Sequence, residues 1–319
     1  MMKQQHTGEF VMNQVLRTVF LAGCFVCMGH YAEAGGGKEQ DLSLDAEIAA
    51  RTVVSRTVQT KLTRNAVVKR PIPDDFVWIQ GGTFMMGSPT PEASRDSDEV
   101  QHQVTVSGFF MGKYEVTQKE YQAVMGTNPS DFKGDTLPVE NVSWYDAVKY
   151  CNARSQQEGL TPAYTINGET VTWNRSASGY RLMTEAEWEY ACRAGTTTPF
   201  STGSNITTNQ ANYHGKYPYN GNARGTYRRT TTPVGSFAAN SWGLYDMHGN
   251  VWEWCWDLYG NYSSDAQTNP VGASLGMYRV GRGGSWDAYS QHLRSAYRGR
   301  SGPSRRYGNV GFRLARSSL

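Results

Sequence analysis

The stretch RLMTEAEWE, residues 181–189, joins the end of a strand to the start of a helix. Thr184 and Glu187 form a capping box, in which each side chain accepts a backbone N–H that the first helical turn leaves unpaired. Gly195 lies where this helix should stop, because glycine readily adopts the left-handed turn that follows many helices. The stretch therefore predicts a helix that begins at Thr184 and is closed by Gly195.

Two further helices are predicted from the same signals. Thr117 and Glu120 form a second capping box, with Gly126 as the stop, and Ser143 begins a helix that ends near Gly159. Runs of β-branched and aromatic residues predict strands at 76–79, 83–86, 103–106 and 109–111, the first two joined across 81–82. Three helices and scattered short strands predict a loop-rich α+β domain.

The composition is that of a globular, aromatic-rich protein. Hydrophobic residues make up 39% and charged residues 18% of the 319 positions, which excludes a disordered chain, and 34 glycines favour many turns over a helical bundle. Beyond residue 30 the only cysteines are Cys151, Cys192 and Cys255, which form neither a disulfide framework nor a CxxC metal pair. We interpret them as small buried residues.

The first 34 residues have the features of an export leader. The apolar stretch 15–28 is too short to cross a bilayer as a helix, and Arg17 supplies the positive charge of a signal peptide. The sequence LAGC at 21–24 resembles a bacterial lipobox, so Cys24 is predicted to be lipidated; cleavage after Ala34 is the alternative. We expect an exported protein, lipid-anchored at the outer surface of a bacterial membrane, with a polar spacer at 35–73 and a folded domain at 74–319.

Three motifs carry a family resemblance. They are RLMTEAEWE at 181–189, GNVWEW at 249–254 and RGGSW at 282–286, and weaker matches accompany them in the same order over nearly all of 76–319. Together they resemble the sulfatase-modifying-factor family of formylglycine-generating enzymes. The resemblance implies an elaborated C-type lectin fold.

The resemblance also implies a chemistry that this chain lacks the residues to perform. The family's founding activity is the copper-dependent oxidation of a substrate cysteine to formylglycine, which needs two neighbouring thiolates for Cu(I). In those enzymes both cysteines follow the Gly-Gly-Ser motif, whereas here no cysteine follows Cys255. His102, His214, His248 and His292 show no ligand spacing. We expect no catalytic residues and no required cofactor, and keep an oxidase or another enzyme of this fold as the alternative.

The C-terminal segment 279–315 resembles the variable region of diversity-generating retroelements, which mutate adenines in Asn codons of a template. Fourteen positions depart from the family scaffold: Gly281, Asp287, Ala288, Tyr289, His292, Tyr297, Gly299, Arg300, Ser301, Gly302, Arg305, Tyr307, Gly308 and Asn309. None of them is Lys, Gln, Glu, Met or Trp, the types that such mutation cannot produce. The pattern predicts a diversified ligand-binding face on a variable protein.

Randomised residues must not carry folding energy, so we expect ten of these positions to be largely exposed on one patch: Asp287, Ala288, Tyr289, His292, Tyr297, Arg300, Ser301, Arg305, Tyr307 and Asn309. Tyr289, Tyr297 and Tyr307 are the predicted anchors, since tyrosine offers rigid contact area at low entropic cost. The scaffold residues between them are expected to be buried: Trp286, Leu293, Ala296, Val310 and Phe312. The predicted partner is an unknown protein or surface ligand, with the membrane contacted through the lipid anchor. Nucleic acid is not expected, because most of the nine arginines after residue 278 occupy scaffold positions.

One loop could hold a structural calcium ion. The resemblance implies ligands from the side chains of Asp246 and Glu253 and the carbonyls of Gly249 and Val251, which are hard oxygens suited to Ca²⁺. The alternative is that Asp246 and Glu253 cap turns around the neighbouring tryptophans.

Overall fold

The computed structural model describes residues 73–317, and the predicted leader, Cys24 and almost all of the spacer lie outside them. Residues 73–317 contain three α-helices: α1 (Gln118–Met125), α2 (Trp144–Gln157) and α3 (Glu185–Arg193). Each begins with the predicted cap, at Thr117, Ser143 and Thr184, and all three caps are reciprocal capping boxes. None of the helices within the described residues has the length and apolar character needed to cross a membrane.

The helix ends follow the prediction with one difference. Gly126 ends α1 in the left-handed conformation, with φ of 76°. At the end of α3 both Ala194 and Gly195 are left-handed, with φ of 45° and 88°. The turn therefore begins one residue before the predicted glycine, and Ala194 accepts a conformation that a Cβ disfavours.

The strands form three sheets and a hairpin. They are β1 (Phe76–Ile79), β2 (Gly82–Met86), β3 (His102–Val106), β4 (Phe109–Gly112), β5 (Tyr164–Asn167), β6 (Thr170–Trp173), β7 (Tyr180–Arg181), β8 (Trp252–Leu258), β9 (Gln267–Thr268), β10 (Arg279–Arg282), β11 (Gly299–Ser301), β12 (Val310–Gly311) and β13 (Ala315–Ser317). The sheet orders are β1-β4-β13-β7, β11-β10-β8-β12 and β2-β3-β9, and β5 pairs with β6.

The predicted strands are present, but β1 and β2 do not pair with each other. β1 pairs with β4, and β2 pairs with β3, so the glycines at 81–82 lead the chain from one sheet into another. The last strand, β13, lies between β4 and β7, which ties the C-terminal end of the chain to its first sheet. A short 3₁₀ turn at Ser290–Leu293 follows β10.

Three fully buried tryptophans connect these elements. The indole N–H of Trp144 donates to the carbonyl of Cys255 at 2.9 Å, and that of Trp254 donates to Val142 at 3.0 Å. Trp188 of α3 donates to the carboxylate of Glu253 at 2.9 Å. Because each ring is buried with its one donor satisfied, α2, α3 and β8 are fixed to each other.

Four scaffold arginines of the C-terminal segment are buried against glutamates from other parts of the chain: Arg282 on Glu189, Arg294 on Glu99, Arg298 on Glu185, and Arg313 on Glu253. Arg294 contacts Glu99 at 2.6 Å and Arg298 contacts Glu185 at 2.7 Å. The guanidinium groups of these four arginines are thus paired inside the protein, as expected of residues that hold loops in place.

The division between scaffold and variable positions can be tested with two arginines. Arg294→Ala should lower the free energy of unfolding by about 3–5 kcal/mol, because Glu99 would be left as a buried carboxylate without its main partner. Arg305 is exposed, and its side chain contacts no charged group among the described residues, so Arg305→Ala should change stability by less than about 0.5 kcal/mol. Urea unfolding of both variants measures the difference, and equal losses would contradict this division.

Candidate functional site

A cavity of about 790 Å³ lies over the β10–β11 hairpin. It is lined by eight of the fourteen positions predicted to vary: Gly281, His292, Tyr297, Gly299, Arg300, Ser301, Tyr307 and Asn309. The segment after β11 also supplies Val310 to its wall. The structure therefore brings more than half of the predicted face together around one cleft.

The cleft is placed by strand pairing. β11 pairs with β10 so that Arg300 lies opposite Val280, and β10 pairs with β8 so that Gly281 lies opposite Trp254. The backbone N–H of Trp252 donates to the carbonyl of Asn309 at 2.8 Å, which holds the chain after β11 against the start of β8. Strand pairing thus fixes the floor of the cleft through backbone hydrogen bonds, which do not depend on the identity of the side chains above it.

The opposite wall comes from a loop distant in sequence, residues 96–98. Its position depends on Glu99, which accepts from the backbone N–H of Asp96 at 3.3 Å and from the hydroxyl of Ser88 at 2.6 Å. Arg294 binds the same Glu99 carboxylate. One buried ion pair therefore fixes both the C-terminal segment and the wall that faces it.

The predicted exposure is confirmed for only part of the face. Tyr289, Arg300, Arg305 and Tyr307 are exposed, and most of the remaining positions are half-buried. One position contradicts the expectation: Ala288 is buried in a cluster that includes Phe200, Ile206 and Leu293. Gly281, for which no exposure was predicted, is also buried, within β10. Gly281 is buried because its backbone continues the central sheet. Ala288 is buried because its backbone folds onto the loop at 200–219.

Two other positions carry structural contacts. The amide of Asn309 donates to the carboxylate of Asp287 at 3.0 Å, and Asp287 also accepts from Ser285 at 2.7 Å. These bonds join the loop after β10 to the loop after β11. The expectation that every position in the set is independent of the fold is therefore wrong for this pair.

The burial predicted for the scaffold residues is also found for only some of them. Leu293, Ala296, Val310 and Phe312 are buried as predicted. Trp286 is only half-buried, which corrects the prediction for it; its indole donates to the carbonyl of Gly308 at 3.0 Å, and its ring meets that of Phe132 edge-on. The Trp286 side chain supports the outer side of the loop that carries Gly308 and does not pack in the core.

A group of aromatic rings lies beside the cleft and includes one predicted anchor. The rings of Tyr289 and Tyr217 have centroids 4.0 Å apart, and both side chains are exposed. His214 stacks on Tyr227 at 3.7 Å and contacts both Tyr217 and Tyr289 with its ring. Tyr289 is thus supported by aromatic residues outside the C-terminal segment.

The charged groups of the cleft differ in how far neighbouring groups neutralise their charge. Asp98 accepts a hydrogen bond from the hydroxyl of Tyr259 and lies 3.8 Å from Arg298. The guanidinium of Arg300 lies over the Tyr259 ring, 4.6 Å from its centroid. Burial lowers the pKa of His292, while the carboxylate of Asp96 acts in the opposite direction.

Several residues of the cleft were missed by the sequence interpretation: Asp96, Ser97, Asp98, Trp252, Trp254, Tyr259, Asn261 and Arg298. The two tryptophans belong to the GNVWEW motif, and the aspartates belong to a short acidic run at 96–99, so a signal existed for each pair. Nothing in the local sequence distinguishes Asn261. These residues lie outside the predicted variable set, and we call them the constant part of the cleft because they are predicted not to vary.

The cysteines offer no oxidase site. Cys151, Cys192 and Cys255 are buried, and none lines the cleft. Burial raises the pKa of Cys192 to about 12 and raises those of Cys151 and Cys255 as well, so the thiolates that bind Cu(I) are disfavoured.

The one thiol that lies near a histidine is not an activated nucleophile. His248 donates its Nδ1–H to the carbonyl of Leu293 at 2.7 Å, and its Nε2 accepts the N–H of Ser201 at 3.0 Å. Burial lowers the pKa of His248 to about 4, so the ring stays neutral. Cys192 lies 3.8 Å from this ring, but the ring nitrogens are already committed to backbone groups.

The predicted calcium loop is only partly suited to an ion. Both oxygens of Glu253 accept from Arg313, at 2.7 Å for the shortest contact, and Trp188 donates to the same carboxylate. Asp246 accepts the N–H of Gly235 at 2.6 Å through Oδ2, while its Oδ1 is buried without a hydrogen-bond partner among the described residues. Glu253 therefore does not fit the role of a calcium ligand in this conformation, although Asp246 has an oxygen to offer.

Comparison with known proteins places this chain in a family. Residues 63–318 match the sulfatase-modifying factor enzyme 1-like domain. The chain is 40% identical to the chaperone protein LppX of Paenibacillus barcinonensis, over 77% of this chain and 90% of that protein. It is 30% identical to the formylglycine-generating enzyme of Mus musculus, over 76% of this chain and 75% of that enzyme. Among solved structures, Treponema denticola variable protein 1 superposes with a TM-score of 0.67 at 31% identity, covering 76% of this chain and 95% of that one. The predicted α+β C-type lectin fold is confirmed, and the chain belongs to the sulfatase-modifying-factor family.

Proposed function

We propose that this protein is a ligand-binding lipoprotein of the bacterial cell surface, whose C-terminal segment is diversified to recognise different targets. The observation that carries the proposal is the cleft, where eight predicted variable positions converge on a backbone fixed by strand pairing and buried ion pairs. Such an arrangement lets side chains change without removing the interactions that hold the fold.

The similar proteins support a binding role without deciding it. One is named a variable protein and another a chaperone, and both names describe activities without catalysis. The formylglycine-generating enzymes are enzymes of the same family. We favour binding because the three described thiols are buried, with pKa values raised by desolvation.

The chemistry of the cleft suits a protein or another surface molecule better than nucleic acid. Tyr297 and Tyr307 line it with serine, glycine and asparagine between them, which is the composition of adaptable paratopes. Arg298 is paired with Glu185, so only Arg300 among the cleft's arginines is free of a buried carboxylate partner. A cleft with one such cation lacks the multiple phosphate contacts on which nucleic-acid affinity depends.

The role of the tyrosines can be tested by separating binding from folding. A peptide selected on the wild-type protein from a random display library should lose binding when Tyr289, Tyr297 and Tyr307 are replaced by Ser together. Tyr289 and Tyr307 are exposed and Tyr297 is half-buried, so the variant should lose no more than about 2 kcal/mol of stability. Calorimetric titration measures the first effect, and thermal unfolding measures the second.

The matched control is Tyr278→Ser, which removes an equally exposed tyrosine that does not line the cleft. It should leave peptide binding unchanged. Binding that survives the triple substitution in every selected peptide would refute the proposed face.

The lipid anchor is a separate prediction on residues outside the described structure. Cells expressing the full chain should incorporate a palmitate analogue into the protein, and Cys24→Ser should abolish the label, since the lipobox cysteine is the acylation site. Cys27→Ser, three residues later, should retain it. A wild-type protein that carries no lipid and begins at Gly35 would establish ordinary cleavage instead.

The calcium prediction is tested by metal removal. Because Glu253 is saturated by Arg313 and Trp188, we expect the thermal midpoint of chelator-treated protein to equal that of untreated protein. A lower midpoint that added calcium restores, and that Asp246→Asn makes insensitive to calcium, would establish an ion at this loop.

A further inference from the structure

The constant wall of the cleft carries negative charge. Four side chains with a full formal charge line the cavity: Asp96, Asp98, Arg298 and Arg300. Arg298 is almost completely buried and is held by both oxygens of Glu185, at 2.7 and 2.9 Å. Arg298 shares its charge between Glu185 and Asp98, which lies 3.8 Å away, so the two aspartates of the cavity outnumber the one arginine, Arg300, that has no buried carboxylate partner.

The negative and the positive charges of the cleft come from different parts of the chain. Both aspartates lie outside the segment predicted to vary, whereas Arg300 lies within it. The constant residues therefore give the cleft a net negative charge, and the variable residue offsets part of it. Another variant with a neutral residue at 300 would keep the aspartates and lose the offset.

Asp96 is positioned to meet a ligand. Its side chain is exposed, and its carboxylate accepts no hydrogen bond from any described residue. Its backbone is held by Glu99, so the carboxylate is presented on a fixed loop. It also acts electrostatically on His292 and Tyr297, which places its charge on the cleft side of that loop.

Aromatic rings complete a surface that suits a cation. Trp252 and Tyr259 belong to the constant part, and Tyr297 and Tyr307 to the variable part. Aromatic faces attract guanidinium and ammonium groups, most strongly where water is partly excluded. Tyr259 already has two guanidinium groups against its ring, those of Arg298 and Arg300, each 4.6 Å from the ring centroid, so this wall binds cations within the protein itself.

We propose that the constant wall of the cleft, through Asp96, Asp98 and Tyr259, selects a basic side chain of a protein partner, an arginine or a lysine. This inference rests on the proposed binding function and adds the chemical class of the recognised group. The variable positions then determine what surrounds that cation. Arg300 competes with the incoming group for Tyr259 and lowers its affinity.

The experiment measures binding of N-acetyl-arginine methylamide by NMR titration, with N-acetyl-citrulline methylamide as its neutral isostere. Wild-type protein should bind the arginine compound about tenfold more tightly, the size expected for one partly exposed charge contact with one cation–π contact. The preference should fall with rising salt, because exposed charges are screened. Asp96→Asn should remove most of it, and Arg300→Ser should increase it.

Asp265→Asn is the matched control, because Asp265 is an exposed aspartate outside the cleft. It should keep the full preference. Asp98→Asn is interpreted together with its thermal midpoint, since Asp98 also holds Tyr259. Equal binding of the two compounds, no binding of either, or a preference that survives Asp96→Asn and Asp98→Asn together would overturn the inference.

The peptide selection distinguishes a failure of the cationic preference from a failure of the proposed function. Peptides that depend on the three tyrosines but show no enrichment of arginine or lysine would refute the cationic preference and leave the binding function standing. Peptides whose binding is indifferent to both the tyrosines and the aspartates would refute the binding function as well.

Discussion

The buried pairing of Arg294 with Glu99 is the contact on which the cleft most depends. Both side chains are fully buried, and breaking such a pair costs far more than its net contribution to stability, because the remaining charge has no water to solvate it. The pair joins residues 195 positions apart in sequence. It fixes the geometry between the C-terminal segment and the loop of Asp96 and Asp98, and so determines the width of the cleft.

The neighbouring pairs extend this constraint to the whole segment. Glu185 and Glu189, on successive turns of α3, bind Arg298 and Arg282, and Glu253 of β8 binds Arg313. The carboxylates thus come from outside the segment 279–315, and the guanidinium groups come from that segment, which carries the positions predicted to vary. Arginine suits this role because its planar group makes several directed bonds at once and remains charged when buried. Side chains between the paired arginines can then differ while the backbone path stays the same.

Local signals in the sequence were sufficient for the helices but not for the cleft. Each capping box is formed by residues three apart, so Thr117, Ser143 and Thr184 could be assigned without knowing the fold. β1 pairs with β4 instead of β2, and β13, far along the chain, pairs with the other edge of β4; no local pattern reveals either pairing. The same limit applies to the site: Asp96 faces His292 only after almost two hundred intervening residues have folded.

The burial of Ala288 shows why the predicted face was too broad. A small residue between Asp287 and Tyr289 has no local feature that distinguishes a surface position from a packed one, and the decisive contacts come from Phe200 and Ile206. Gly299 is the opposite case, because it lines the cleft but has little room for a side chain. A Cβ at that position would lie 2.9 Å from the Trp252 ring and 3.0 Å from the carbonyl of Gly281. Gly281 itself has space, with its nearest neighbour at 4.0 Å. Variation at 281 would therefore change the chemistry of the floor, whereas variation at 299 would displace Trp252 and alter the shape of the cleft.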